Sequence, residues 1–286
     1  MSDNRFIFTV TNGRSGQATL KRIFTEYVRN SYVTFEEPHV NHIFPGFLGD
    51  LERIFRRRFI ETHELLGRGK VLTSYENNKL DYIRSIAKSR LSDIKQKMLI
   101  KNSNTYIDVS KYFARGLHTG YLSLLKDVSV INLVRDPISN MKSFINRNKN
   151  FLLDNNYPDS KTNILILDSK KLSKEEFYLW SWCEMYLRFE NIKEESNVSH
   201  AVEIRTEFLN NSEYIMNSLD ELELDYDHID IISTRLNTNK QKGLPVTSVL
   251  KDDIEIFLRF IEKIPVSILK KIHYFDNYDP YKIHQC

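Results

Sequence analysis

A run of ten residues, Thr11-Asn12-Gly13-Arg14-Ser15-Gly16-Gln17-Ala18-Thr19-Leu20, has the residue types that grip an oxyanion. Gly13 and Gly16 let the backbone curl until successive N–H groups converge, and a helix starting just after them adds the positive end of its dipole. Arg14 supplies a fixed charge, Ser15 and Thr19 supply hydroxyls, and Asn12, Gln17 and Ala18 complete the cradle. The plainer reading is an ordinary glycine turn between a strand and a helix. The run is not a Walker loop, because Gln17-Ala18 stands where that motif needs Lys followed by Ser or Thr.

A second constellation is Leu133-Val134-Arg135-Asp136-Pro137, leading on to Ser143-Phe144. Arg135 at a strand tip and Ser143, eight residues further on, offer a planar cation and a hydroxyl able to share one phosphate. Pro137 suits the first turn of a helix. The plainer reading here is a capped helix with Arg135 paired to Asp136.

These residues need strands and helices to hold them. Phe6 to Thr11 is a short apolar, β-branched run stopped by Asn12-Gly13, and Leu20, Ile23, Phe24, Tyr27 and Val28 repeat at helical spacing over residues 17–30. Strand-like segments recur at 33–35, 105–109, 128–134 and 201–204. Helical segments are expected at 48–66, 76–97, 112–125, 138–146, 174–194, 212–222 and 250–261. The alternation predicts an α/β fold: one P-loop-like domain over residues 1–286, with a central, mostly parallel sheet flanked by helices. Ligands then belong at the C-terminal strand ends. The polar stretches 146–163 and 233–247 read as long loops able to cover a site.

Composition narrows the partners. Lys+Arg total 41 against 38 Asp+Glu, a net charge of +3, far from the excess of a protein that coats nucleic acid. Hydrophobic residues are 41% and charged residues 28%, which is globular composition. No run reaches the length of a membrane span and no signal-peptide core follows Met1, so a cytoplasmic location is expected. Only Cys183 and Cys286 are present, the former in an amphipathic-looking helix, which argues against a disulfide framework and against a cysteine metal site.

Together, the two phosphate-type segments resemble the sulfotransferase family, whose donor is 3′-phosphoadenosine 5′-phosphosulfate. Thr11 to Leu20 resembles its loop for the 5′-phosphosulfate, in the Arg-Ser-Gly form of tyrosylprotein and many bacterial members, and Arg135 with Ser143 matches its pair on the 3′-phosphate. Tyr106-Ile107-Asp108-Val109-Ser110-Lys111 resembles its middle strand and turn, and Ile204-Arg205-Thr206-Glu207 a late strand end. The resemblance implies sulfuryl transfer to a hydroxyl acceptor, a carbohydrate or another small molecule, without a metal. Arg14 then acts as an electrostatic clamp, since arginine cannot give up its proton. The segment Asn239-Lys240-Gln241-Lys242-Gly243 stands nearest to the family's Arg-Lys-Gly loop and implies Lys240 or Lys242 on the 3′-phosphate; a solvated basic loop is the plainer reading.

Transfer also needs a base opposite the phosphate loop. The segment Val33-Thr34-Phe35-Glu36-Glu37-Pro38-His39 ends in three titratable side chains, and family relatives use a glutamate or a histidine. Glu37 and His39 are the expected bases, with Glu36 and His63 behind them. Asp108 and Lys111 either orient a substrate or form a strand-end ion pair. Trp180, Trp182 and Tyr186 read as core rather than as an adenine platform. The run Arg53, Arg56, Arg57 and Arg58 suits an acidic acceptor less well than a solvated helix. Two other readings remain open from sequence: a metal-dependent nucleotide kinase, which lacks its lysine here, and a nucleotide-binding module without catalysis.

Overall fold

The computed structural model describes residues 4–37, 69–146, 157–230 and 248–284, with a few single positions between 47 and 67. Among these, five strands, β1 (Arg5–Val10), β2 (Ser31–Thr34), β3 (Thr105–Asp108), β4 (Val128–Val134) and β5 (Val198–Arg205), form one sheet in the order β2-β3-β1-β4-β5. Every pairing is parallel. The α/β class with helices flanking a parallel sheet is as the alternation predicts.

Apolar runs in β1 and β4 reflect burial on both faces. Phe6, Phe8 and Val10 join Val128 and Val130 in one cluster, whereas Ile7 joins Ile131 and Leu133 in another. On the first face lie α2 (Lys70–Glu76), α3 (Leu80–Ile100) and α4 (Leu117–Leu122), through Val71, Ile83, Leu91 and Tyr121. The opposite face is covered by α1 (Gln17–Tyr27), through Leu20 and Phe24, and by α7 (Ser212–Glu221), through Ile215 and Leu219. A third cluster gathers α5 (Pro137–Ile145), the first half of α6 (Lys174–Lys193), α8 (Lys251–Ile261) and the chain from Ile264 to Tyr278.

Several expectations shift in detail. The helix expected at 76–97 is α3, Leu80–Ile100, which starts later because Asn78 takes a left-handed φ of 53° that asparagine tolerates and that ends the preceding α2, a helix the reading of the sequence did not mark. The 112–125 stretch is a short 3-10 turn, Phe113–Arg115, that breaks at Gly116 before α4. Helix α6 is not amphipathic: 15 of its 20 residues are buried, so its pattern has no polar face to report. Strand β5 begins at Val198, earlier than expected, since an edge strand carries exposed polar residues such as Ser199. Two further helices unmarked by the reading of the sequence, α9 (Val266–Leu269) and α10 (Pro280–His284), close the described chain. Of the expected 48–66 helix only a few single positions are described, among them Leu48, Leu51 and Leu65, which are helical. Of the expected loop 146–163 the described residues 157–163 form turns without regular structure, while 147–156 and the whole of the expected loop 233–247 lie outside the described residues.

Because the chain leaves β1 toward β2 and leaves β4 toward β5, neighbouring strands β1 and β4 send their loops in opposite directions. A crevice opens at such a switch point, at the C-terminal ends. There the loop after β1 meets the segment after β4.

Candidate functional site

At the end of β1 the chain turns through three left-handed residues, Gly13 (φ 90°), Arg14 (φ 58°) and Gly16 (φ 79°). A left-handed arginine costs about 1 kcal/mol, so something must hold it. Asn140, wholly buried in α5, gives its side-chain N–H to the Gly13 carbonyl at 2.8 Å and to Ser15 Oγ at 3.2 Å. Asn12 turns inward, its amide 3.2 Å from Asn140 Oδ1 and its own Oδ1 accepting Ser181 Oγ–H of α6 at 2.7 Å. Ser15 donates to Gly13 O at 3.1 Å, and the Thr206 hydroxyl lies 2.8 Å from both Ser15 O and Val134 O. The loop is thus tied to α5, α6 and the end of β5.

Helix α1 begins at Gly16 with no side-chain cap, so the first N–H groups face the loop without a partner side chain. Gln17, the first helical residue, is 7% exposed, and its Nε2 has no hydrogen-bond partner. A buried orphan donor beside uncapped helix N–H groups is the arrangement an oxyanion satisfies. Gly16 is also sterically required. A Cβ there would lie 2.6 Å from Leu209 Cδ1 and 3.2 Å from Thr206 Cγ2. Gly16→Ala is therefore expected to cost about 2–3 kcal/mol, from the positive φ and the displaced Leu209. Thermal unfolding would read this as a fall of about 5 °C; an unchanged midpoint would show that the loop adapts.

The second constellation meets the first directly. Arg14 Nε donates to Ser143 Oγ at 3.3 Å, and Arg135 Nη1 donates to the Arg14 carbonyl at 3.3 Å. Residues more than 120 positions apart, |i−j| of 129 and 121, therefore share one crevice. The pairing of Arg135 with Asp136 anticipated as the plainer reading is not what forms. Asp136 instead caps α5, its Oδ1 accepting the Ser139 N–H at 2.6 Å. Arg135 is fixed from behind, where Trp182 Nε1–H donates to its carbonyl at 2.9 Å.

Three carboxylates stand at the C-terminal ends of β2 and β3, and one of them, Glu36, is linked to the loop through Lys111. Lys111 Nζ lies 3.6 Å from Glu36 Oε1, so the lysine pairs with Glu36 rather than with Asp108, and Lys111 Cδ sits 3.3 Å from where a Gly13 Cβ would be. Glu37 accepts the Tyr32 hydroxyl at 3.2 Å. Asp108, at the end of β3 and 9% exposed, accepts the Thr34 hydroxyl at 3.0 Å; that hydroxyl is 2.9 Å from Tyr106 OH, which Arg90 Nη2 reaches at 3.3 Å. Burial pushes the Asp108 carboxyl up to about 6, helped by Glu37 and Glu36 and opposed by Arg90 and the Thr34 hydroxyl.

That shift sets a pH dependence. Below about pH 4 folded and unfolded chains both hold this proton, whereas above about pH 6 the folded state carries the cost of a bare buried carboxylate, on the order of 3 kcal/mol. The Asp108 contribution to stability therefore falls as pH rises through this window. Asp108→Asn is expected to gain about 2 kcal/mol more, relative to the parent, near pH 7.5 than near pH 4.5. Urea unfolding at both pH values checks this, and a pH-independent difference would remove Asp108 as the titrating group.

Of the residues expected from sequence, Asn12 to Thr19, Arg135 and Ser143 come together, and Glu36 and Glu37 lie on the same edge of the sheet. His39, His63, Lys240, Lys242 and Arg53 to Arg58 lie outside the described residues. Trp180, Trp182 and Tyr186 are buried core, at 1%, 3% and 4% exposure. Sequence reasoning gave no role to Asn140, Ser181 or Thr206; an asparagine inside a short helix, three residues before Ser143, was the available signal. Among the described residues no group of three or more His, Cys, Asp or Glu side chains converges, and no helix is long and apolar enough to cross a membrane.

No family model matches the sequence, and no curated protein matches it. Among solved structures, the chain is similar to the sulfotransferase domain from the Synechococcus PCC 7002 olefin synthase. The identity is 13% and the TM-score 0.44, over 92% of this chain and 96% of that one. A likeness at that level assigns no activity.

Proposed function

We propose that this chain is a sulfotransferase that takes a sulfuryl group from 3′-phosphoadenosine 5′-phosphosulfate and passes it to a hydroxyl acceptor, a carbohydrate or another small molecule. The observation that carries the reading is the meeting of the two clamps, Arg14 on Ser143 and Arg135 on the Arg14 backbone, in the crevice at the β1/β4 switch point. Each segment alone has a plain structural explanation. Their convergence supplies two guanidinium groups, uncapped helix N–H groups and the orphan Gln17 amide, which fits a ligand with anionic groups at two places.

In this reading the loop 11–19 holds the 5′-phosphosulfate, and Arg135 with Ser143 holds the 3′-phosphate. The acceptor oxygen bonds to sulfur as the bond from sulfur to the 5′-phosphate oxygen breaks, and adenosine 3′,5′-bisphosphate leaves. Arg14 offsets the negative charge that grows on the departing oxygen, where a preorganised cation has its largest effect. The acceptor proton goes to a carboxylate at the C-terminal ends of β2 and β3. Glu37 is the residue assigned, with His39, outside the described residues, as the alternative base from sequence; Asp108, pushed to about 6, is matched to proton transfer near neutral pH and is the second carboxylate to test.

The test is calorimetric titration of adenosine 3′,5′-bisphosphate in excess chelator, followed by mass spectrometry of acceptor panels incubated with the sulfate donor. Binding together with a sulfonated product supports the reading. Binding without transfer to any acceptor points to a nucleotide-binding module, and binding that requires magnesium points to a kinase. Loss of product formation in Glu37→Gln or in Asp108→Asn, with nucleotide binding intact, identifies the base.

A further inference from the structure

The last described residues of the chain reach the strand end that carries Arg135. Tyr278 OH donates to Asp136 Oδ2 at 2.5 Å, and His284 Nε2 lies 3.1 Å from Asp136 Oδ1. Asp136 is 3% exposed, and its own backbone N–H is taken by Glu207 Oε1 at 2.9 Å. The indole of Trp182, which holds the Arg135 carbonyl, stacks on Phe275 at 5.4 Å and meets Tyr274 edge-on at 5.1 Å. Residues 274–284 therefore support both the backbone of Arg135 and the side chain next to it.

The chemistry of that neighbour matters. A carboxylate adjacent to an arginine competes with any incoming anion for the guanidinium, and an ion pair between them would leave less for a phosphate to gain. Here the Asp136 oxygens are already engaged by the Ser139 N–H, the Tyr278 hydroxyl and His284. Burial alone would raise the Asp136 carboxyl, yet the bonds from His284, Tyr278 and Ser139 hold it below its ordinary value. Tyr278 is pushed upward by burial and by Asp136, so it stays a donor.

We infer that Tyr278 and His284 are positioning residues that set selectivity for a 3′-phosphate, by occupying Asp136 so that it does not compete for Arg135. The inference rests on the proposed donor site. It gives the C-terminal segment a task beyond packing: it tunes the one clamp that distinguishes a 3′,5′-bisphosphate from a 5′-monophosphate.

The experiment compares calorimetric titrations of adenosine 3′,5′-bisphosphate and adenosine 5′-monophosphate into the parent, Tyr278→Phe and His284→Ala. Tyr278→Phe keeps the ring that packs against Phe257 and Phe275 and removes only the hydroxyl. The bisphosphate is expected to weaken about 10-fold in each variant while the monophosphate changes less than about 2-fold. In an Arg135→Ala background, Tyr278→Phe is expected to have no further effect, since the group it protects is gone. Equal weakening of both nucleotides, no weakening of either, or an undiminished effect in the Arg135→Ala background overturns the inference. A parent protein that does not prefer the bisphosphate overturns the donor-site reading itself.

Discussion

Arg14→Ala is expected to lower the turnover of sulfuryl transfer about 100- to 1,000-fold, the scale seen when one preorganised charge-stabilising donor is removed. The fold should survive, because the left-handed backbone at residue 14 is held by Asn140 on Gly13, by Thr206 on Ser15 and by Arg135 on the Arg14 carbonyl. None of these contacts uses the Arg14 side chain. What disappears is the guanidinium that reaches Ser143. Ground-state binding of the product nucleotide should change less than turnover, since the charge on the leaving oxygen is largest in the transition state. Arg14→Lys keeps a charge but loses the planar fork, so it should recover only part of the rate. Single-turnover kinetics beside nucleotide titration separates the two quantities; an Arg14→Ala enzyme within about 3-fold of the parent rate would leave the clamp without a role.

Arg135→Ala carries the second large effect, on affinity rather than on rate. A guanidinium bound to a phosphate through charge-assisted hydrogen bonds is worth about 3 kcal/mol, so adenosine 3′,5′-bisphosphate should bind about 100-fold more weakly. Adenosine 5′-monophosphate should be almost indifferent to the substitution. The variant retains the Trp182 bond to residue 135, which is made to the backbone carbonyl, and the Asp136 cap on α5. A loss of affinity shared equally by the two nucleotides would place Arg135 in the scaffold of the crevice and not on a 3′-phosphate.

Strands β1, β3 and β4 and helices α1, α5, α6, α7 and α8 were legible because each pairs a clear hydrophobic period with a clear stop. The loop after β1 was legible because Gly13 and Gly16 flank a short polar run, and the structure places both at positive φ. Helix α6 was legible as a helix but misleading in character, since a helix buried on every side has no period that separates faces. The break at Asn78 and the short terminal helices were obscure for the converse reason: the features are one residue or one turn long, too short for a period.

Sequence by itself determined the residue types of both clamps and the alternation of strands and helices that predicts a mostly parallel sheet, because local periodicity and turn chemistry act over a few residues; the strand order that makes β1 and β4 neighbours came from the structure. Only the tertiary structure decided what those residues touch. That Arg14 meets Ser143, that Asn12 faces Asn140 and Ser181, that Asp136 belongs to Tyr278 and His284, and that burial pushes the Asp108 carboxyl upward all depend on contacts between segments far apart in the chain. Burial and partnership are properties of the packed crevice, and no local pattern encodes them.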